Sequence, residues 1–564
     1  MSAPKEKLII YQALVRLFGN TNTTRLRNGS IEENGCGKMS DFSEKALRSI
    51  RQLGCNCVWY TGLLQQASAT DYSRWGIPVP SEQVLKGKAG SPYAITDYYS
   101  VSCDLADNPA ERMSEFDDLV RRTHKVGLRL IIDFVPNHVA RQYHSVSRPA
   151  GIEDLGEKDN KGHRFDPQNN FYYCDEPLHL DNVGIAPSEQ TYREEPAKVS
   201  GNDVFHAWPS RNDWYETVKL NYGVDYCGGG QKHFDPVPDT WHKMLDILLF
   251  WCARGVDGFR CDMVFLVPVE FWHWAIARVK EQYPQVLFIG EIYDPSIYRS
   301  YIDYGGFDYL YDKVGLYDTL RDVVECRESA SALTRCWQSV EGIQSHLLNF
   351  LENHDEQRVA SRFFAGEPHK ALPALVVSLL MHGNPFMLYF GQELGERGMD
   401  SEGFSGEDGR TTIFDYWSLE SLQPWIGHDY TLSHLPKEAA ALRRYYTQML
   451  QLAKTEVFAR GGFYDLTYCN YGNPRYDVHR QFAFFRHTEQ EVALVVANFD
   501  ADAKTLAINI PEEAWHFVGI KKSGKYTITD LKTGEAKREE IELSKPFEAE
   551  VKGYDATLLS IALR

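Results

Sequence analysis

Leu130-Ile131-Ile132-Asp133-Phe134-Val135-Pro136-Asn137-His138 is an apolar run that stops on an acid, an amide and an imidazole. Residues two apart on a strand share a face, so Asp133, Val135 and Asn137 point one way. A strand apolar on both faces belongs in a sheet covered on both sides, the setting of parallel sheets. Outward from this stretch the pattern recurs. Short apolar runs bounded by turn residues lie at 9–15, 56–60, 256–261, 286–290, 347–351 and 386–390, with a weaker one at 307–310. Amphipathic stretches at 41–53, 113–126, 241–253, 268–282 and 373–381 alternate with them. Strand–helix alternation of this kind predicts an α/β fold, and the number of runs suits an eight-stranded (β/α)8 TIM barrel. An open doubly wound sheet is the alternative, but no G-x-G-x-x-G follows the first run.

Two regions break the rhythm. Residues 140–239 are rich in Gly, Asn, Asp, Pro and Tyr, and a connection of that length inside a compact domain is usually functional. They read as an inserted domain after strand 3. Beyond the helical stretch 437–460 the pattern changes to alternating segments at 481–486, 491–498, 505–510, 526–531 and 557–563, the signature of a C-terminal antiparallel β-sandwich domain. The expected organisation is barrel over 1–139, insertion over 140–239, barrel again over 240–461 and β-sandwich over 462–564.

Composition narrows the function. In 564 residues, 43% are hydrophobic and 24% charged, which is ordinary globular usage. Acids outnumber bases 78 to 60, so a long phosphate-binding surface, and with it nucleic acid as a partner, is not expected. No apolar stretch follows a basic start and none is long enough to cross a bilayer, so neither a signal peptide nor a membrane partner is expected. The 11 cysteines are odd in number and mostly inside apolar runs, as in a reduced cytoplasmic protein. Cys55 and Cys57 lack a second pair at zinc spacing. Aromatic residues make up 13%, and stacking on sugar rings is one use for them. Oligomeric state is not legible.

The chemistry sits where the apolar runs end. Gly258-Phe259-Arg260-Cys261-Asp262 ends one run, Leu287-Phe288-Ile289-Gly290-Glu291 another, and Asn353-His354-Asp355 follows a third. One acid at a strand end is commonly a helix cap or an ion-pair partner. Three carboxylates from three consecutive polar-ended strands, one with an arginine two residues away, together with two flanking imidazoles, form a constellation. In a β/α barrel the carboxyl ends of the strands converge on one mouth.

At these residues the sequence resembles the α-amylase family of retaining glycosidases and transglycosidases, over nearly the whole chain. Asp133-Phe134-Val135-Pro136-Asn137-His138 is similar to the family's D-x-V-x-N-H, and Gly258 to Asp262 to its G-x-R-x-D. The stretch Tyr93-Ala94-Ile95-Thr96-Asp97-Tyr98 is similar to Y-D-x-x-D-Y, 236–239 to the motif closing the inserted domain, and 383–393 to the region around the eighth strand. The resemblance implies that Asp262 is the nucleophile, Glu291 the general acid/base and Asp355 the transition-state stabiliser. It further implies substrate binding by Tyr93, His138, Arg260 and His354, with Asp133 and Asn137 supporting.

The expected activity is retaining hydrolysis of α-glucosidic bonds in starch-type polysaccharide or maltooligosaccharide, with the Asp262 and Glu291 carboxyls roughly 5–5.5 Å apart. Arg260 is expected to keep Asp262 ionised while apolar neighbours raise the pKa of Glu291. Transglycosidase or isomerase action on small α-glucosides, a catalytically silent sugar-binding relative and a metal-dependent barrel enzyme are the rival readings. Trp208, Trp214 and Tyr215 either line further sugar subsites or pack the insertion.

The sequence departs from the family at two places. Phe265 and Leu266 stand where the amylases often carry Lys-His, so acceptor specificity does not carry over. The Asp-rich calcium loop of some members appears as Gly19-Asn20-Thr21-Asn22-Thr23 without acids. Asn137 matches a calcium ligand of many amylases, but no partner acid is assignable. No cofactor is needed for the chemistry; a structural calcium remains open.

Overall fold

The computed structural model describes residues 6–184, 192–398 and 406–563. Eight parallel strands close into a barrel in chain order: β1 Ile9–Leu14, β2 Cys57–Thr61, β3 Arg129–Phe134, β4 Gly258–Cys261, β5 Leu287–Gly290, β6 Tyr309–Tyr311, β7 Leu347–Phe350 and β8 Phe386–Tyr389. Every apolar run expected to be a strand is one, including the weaker run, which becomes β6. The helices between them are α1 Glu44–Leu53, α2 Arg112–Lys125, α3 Asp239–Ala253, α4 Val269–Gln282, α5 Asp318–Val324, α6 Ala332–Ser339, α7 Leu372–Leu380 and α8 Lys437–Leu452.

Local chemistry explains the elements. In α1, Ser43 caps the first turn by accepting from the Ala46 amide, and Ala46, Leu47, Ile50 and Leu53 form the buried stripe expected of helical spacing. Helix α7 is buried at every position after Leu372 because the barrel lies on one side and the C-terminal sheet on the other. The expected helix at 437–460 breaks after Leu452 and resumes as the single turn Glu456–Ala459.

Alternation along the strands divides the barrel into two environments. Ile10, Trp59, Ile131, Ile289, Tyr311, Leu348 and Phe350 form an interior cluster, while Ile9, Val58, Ile132 and Phe288 pack against the helices. Gly258 suits this tight interior, since a Cβ there would lie 3.0 Å from the Leu287 carbonyl oxygen and 3.2 Å from Ile131. Continuing the period of two places Asp133 above Ile131, Glu291 above Ile289, and Arg260 and Asp262 above Gly258. The apolar interior therefore turns polar at the carboxyl end.

Between β3 and α3 the chain forms short paired segments rather than a large sheet. His138–Ala140 pairs antiparallel with Thr217–Lys219, so that His138 lies opposite Lys219. Fully buried Arg141 organises the inside of this region, with Nη1 2.7 Å from Glu194 and Nη2 2.7 Å from Ser200 Oγ.

The C-terminal region is a six-stranded antiparallel sheet with a two-stranded sheet sharing its core. Strands Gly462–Asp465, Ala536–Ile541 and Phe547–Val551 escaped the sequence reading. Ala536–Ile541 is charged and almost wholly exposed at the sheet edge, so it carries no burial signal. Such charge on an edge strand discourages pairing with other chains.

Candidate active site

Arg260 is the hub. Its side chain is 1% exposed, with Nη1 2.7 Å from Asp262 Oδ1 and Nη2 2.8 Å from Glu291 Oε2. Asp133 Oδ1 lies 3.8 Å from Nη1, and Nε donates to the Tyr311 hydroxyl at 3.2 Å. The guanidinium sits over the rings of Trp59, Tyr93 and Tyr311 at 5.2, 5.3 and 5.6 Å. Burying one cation among acids is tolerable because each charge finds an opposite one. Burial opposes the charge on Arg260, but Glu291, the tyrosines and Asp262 together keep it firmly protonated.

Glu291 is fixed by further donors. The Met263 amide donates to Oε2 at 2.9 Å and the Tyr293 hydroxyl donates to Oε1. Met263 adopts φ +44° and ψ +48°, a left-handed conformation costly for a residue with a side chain. That conformation accompanies an amide directed at the acid, one residue after Asp262.

Asp355 follows β7 on a turn in which Asn353 Oδ1 accepts from the Asp355 and Glu356 amides at 2.8 and 3.0 Å. Its Oδ2 lies 3.0 Å from His354 Nε2, and its side chain is 39% exposed, opening the cluster to solvent. His354 Nε2 is also 2.5 Å from the Tyr93 hydroxyl, and Nδ1 is 2.9 Å from Gln12 Nε2. Nε2 of this imidazole thus faces both Tyr93 and Asp355, and Nδ1 faces the Gln12 amide.

The electrostatics differ from the sequence expectation at one point. Burial and the neighbouring Glu291 carboxylate push the Asp262 carboxyl well above its ordinary range, and Arg260 only moderates this. One cation shared between two acids compensates Asp262 only in part. At Asp355 burial again raises the carboxyl, but His354 and Arg260 outweigh it and hold it down to about 2. Burial followed by Lys219 and Lys86 lowers His138 to about 3, so that imidazole is neutral. Asp133 is raised by burial against Arg260, and the Gly62 amide donates to its Oδ2 at 2.9 Å.

Asp262, Glu291, Arg260, Asp133, Tyr93, His354 and Asp355 thus form one connected cluster at the carboxyl ends of β3, β4, β5 and β7. Tyr93 stacks on His354 with ring centres 5.3 Å apart. His138 and Asn137 lie beside the cluster, on the side of the insertion. The His138 ring is 5.1 Å from that of Trp214, while Asn137 turns away to donate to the Gly201 carbonyl at 2.7 Å. Of the insertion aromatics, Tyr215 is buried and donates to the Leu85 carbonyl at 3.0 Å, a packing role. Trp208 is 40% exposed and stacks on His179 at 3.6 Å.

Sequence reasoning missed Gln12, Trp59, Tyr293 and Tyr311. Gln12 carried a signal, being a polar residue inside the apolar strand Ile9–Leu14. Tyr293 carried none, since it follows the end of β5.

The donor sets do not fit calcium. Asn137 Oδ1 accepts from the Lys219 ammonium at 2.8 Å. A divalent ion about 4 Å from that ammonium would be repelled by roughly 8 kcal/mol at an effective dielectric of 20. In the loop after β1, Asn20 Nδ2 donates to the Asn34 and Trp417 carbonyls at 2.9 and 2.8 Å, and its Oδ1 accepts from the Asn22 amide at 3.1 Å, so the side chain closes the loop. Among the described residues, no group of His, Cys, Asp and Glu is clustered as a metal site, and no helix is long and apolar enough to cross a membrane.

Comparison with known proteins shows the family. The chain is 22% identical over 89% of its length to the alpha-amylase MalA of Haloarcula japonica, covering 57% of that protein. It is 33% identical over 42% of its length to an alpha-1,4-glucan:maltose-1-phosphate maltosyltransferase of Cereibacter sphaeroides, covering 44% of it. The chain therefore spans about half the length of these relatives. Among solved structures, the maltogenic alpha-amylase AmyB of Thermotoga neapolitana superposes with a TM-score of 0.62 at 20% identity, over 99% of each chain. The family described as alpha amylase, catalytic domain, matches residues 14–416, and the chain belongs to the α-amylase family.

Proposed function

We propose that the protein is a retaining glycoside hydrolase acting on α-glucosidic bonds of starch-type or maltooligosaccharide substrates. The observation that carries this reading is Arg260, whose guanidinium contacts Asp262 and Glu291 together. Two carboxyls of one pair within reach of a single anomeric centre are what double displacement requires.

In this reading Asp262 attacks the anomeric carbon and the bond to the leaving oxygen breaks as Glu291 protonates that oxygen. Glu291 then takes a proton from water, whose oxygen displaces Asp262 and restores the starting configuration. The mechanism requires the proton for the leaving oxygen to start on Glu291 and Asp262 to start as the carboxylate. Asp355, held anionic, bonds to a ring hydroxyl as positive charge develops on the sugar. Tyr93 and His354 form one wall of the sugar site, His138 and Trp214 border it, and Asp133 steadies Arg260. The presence of all three acids argues against a silent binding relative. Their engagement by Arg260, Tyr293 and His354 leaves them poorly placed as metal ligands. Eleven unpaired cysteines support a reducing, cytoplasmic setting.

The relative that is a maltosyltransferase favours one second reading, transfer to a sugar acceptor instead of water. Incubation with maltotriose, followed by proton NMR, tests both. The α-anomer of the new reducing end should appear first, and early β-anomer refutes retention. Longer oligosaccharides in place of hydrolysis products would select transfer. Asp262→Asn should lower kcat by about three orders of magnitude or more.

A further inference from the structure

We infer that the Lys219 ammonium is a built-in cation that ties the inserted region to the barrel rim at Asn137, the residue matched above to a calcium ligand of many amylases, so that this protein needs no calcium. The inference rests on family membership and geometry, independent of the substrate proposed above.

The ammonium has three N–H donors and meets three oxygens of three kinds. Nζ lies 2.8 Å from Asn137 Oδ1, 2.5 Å from Asp203 Oδ1 and 3.4 Å from the Leu266 carbonyl oxygen. Amide, carboxylate and peptide oxygens are the donors that hard cations take. The ring of Tyr226 covers the group at 5.4 Å, and the side chain is 1% exposed. These partners come from separate parts of the chain. Asn137 follows β3, Leu266 closes the turn after Asp262, and Asp203 and Tyr226 belong to the insertion. Lys219 itself faces His138 across the short antiparallel pair. One buried charge thus fixes the insertion against two strand ends that carry site residues. Asn137 gives its amide to the Gly201 carbonyl and its oxygen to Lys219, so neither end is left for another ligand.

The test measures Tm by calorimetry and kcat/KM on maltotriose for the wild type, Lys219→Ala and Asp203→Asn, each in 5 mM EDTA and in 10 mM calcium chloride. The wild type is expected to show the same Tm and the same rate in both. Lys219→Ala, which removes the cation and leaves its oxygens, should lose about 5–15 °C in Tm. It should recover part of that loss in calcium, a gain that lost packing alone would not give. If Lys219→Ala fails to fold, the wild-type arms and Asp203→Asn still decide, the latter losing Tm in both solutions. A wild-type Tm that falls in EDTA or rises in calcium, a Lys219→Ala protein indifferent to calcium, or an Asp203→Asn protein with the parental Tm overturns the inference. Because Tm reports it, an inactive wild type would defeat the hydrolase reading without touching this one.

Discussion

Replacing Arg260 by lysine keeps the charge and removes the fork. A guanidinium reaches Asp262 at 2.7 Å and Glu291 at 2.8 Å from different nitrogens, whereas an ammonium is a single point that cannot serve both in those positions. One charge-assisted contact to a buried acid is lost, worth about 1.5–3 kcal/mol, or roughly 10- to 150-fold in kcat/KM. Both acids act on the reacting centre, so the loss should fall on kcat more than on KM. The assay is steady-state hydrolysis of maltotriose at 25 °C, with calorimetry to confirm folding. With Asp262 less well compensated, the acid limb of the pH profile should also move upward. A folded Arg260→Lys enzyme with kcat/KM within about twofold of the parent, and an unmoved acid limb, would refute the view that one guanidinium holds the pair.

Two further expectations concern the same cluster. Burial and Glu291 raise the Asp262 carboxyl, and the ionised form is the nucleophile, so activity should be lost on acidification at a pH above the ordinary aspartate value of about 3.9. His138, lowered to about 3, does not contribute to that limb, and a kcat/KM profile flat down to pH 4 would contradict the assignment. Gln12→Leu removes the side-chain amide that holds His354 Nδ1 and leaves Thr61 Oγ1, 3.1 Å from that amide, without this partner. It should lower kcat about tenfold through a misoriented imidazole, and destabilise the fold by about 1–3 kcal/mol, measurable by denaturant titration.

The sequence alone determined a good deal. Apolar runs such as 128–135 and 286–290 reveal strands because burial on both faces demands uninterrupted hydrophobicity, and the acids that end them stand out against it. Period-two alternation puts Arg260 and Asp262 on one face of their strand without coordinates, and the barrel reading brings the acids at the strand ends to one mouth. Only the tertiary structure decided what those acids touch. That Arg260 divides itself between Asp262 and Glu291 follows from the parallel register, in which Arg260 faces Asp133 on one side and Ile289 on the other. That Lys219 meets Asn137 follows from an antiparallel pairing between segments about eighty residues apart, each three residues long. The physical reason is one of range. Hydrophobic periodicity is a local property of the chain, whereas the partner of a buried charge is chosen by which distant segments closure of the barrel and folding of the insertion bring within about 3 Å.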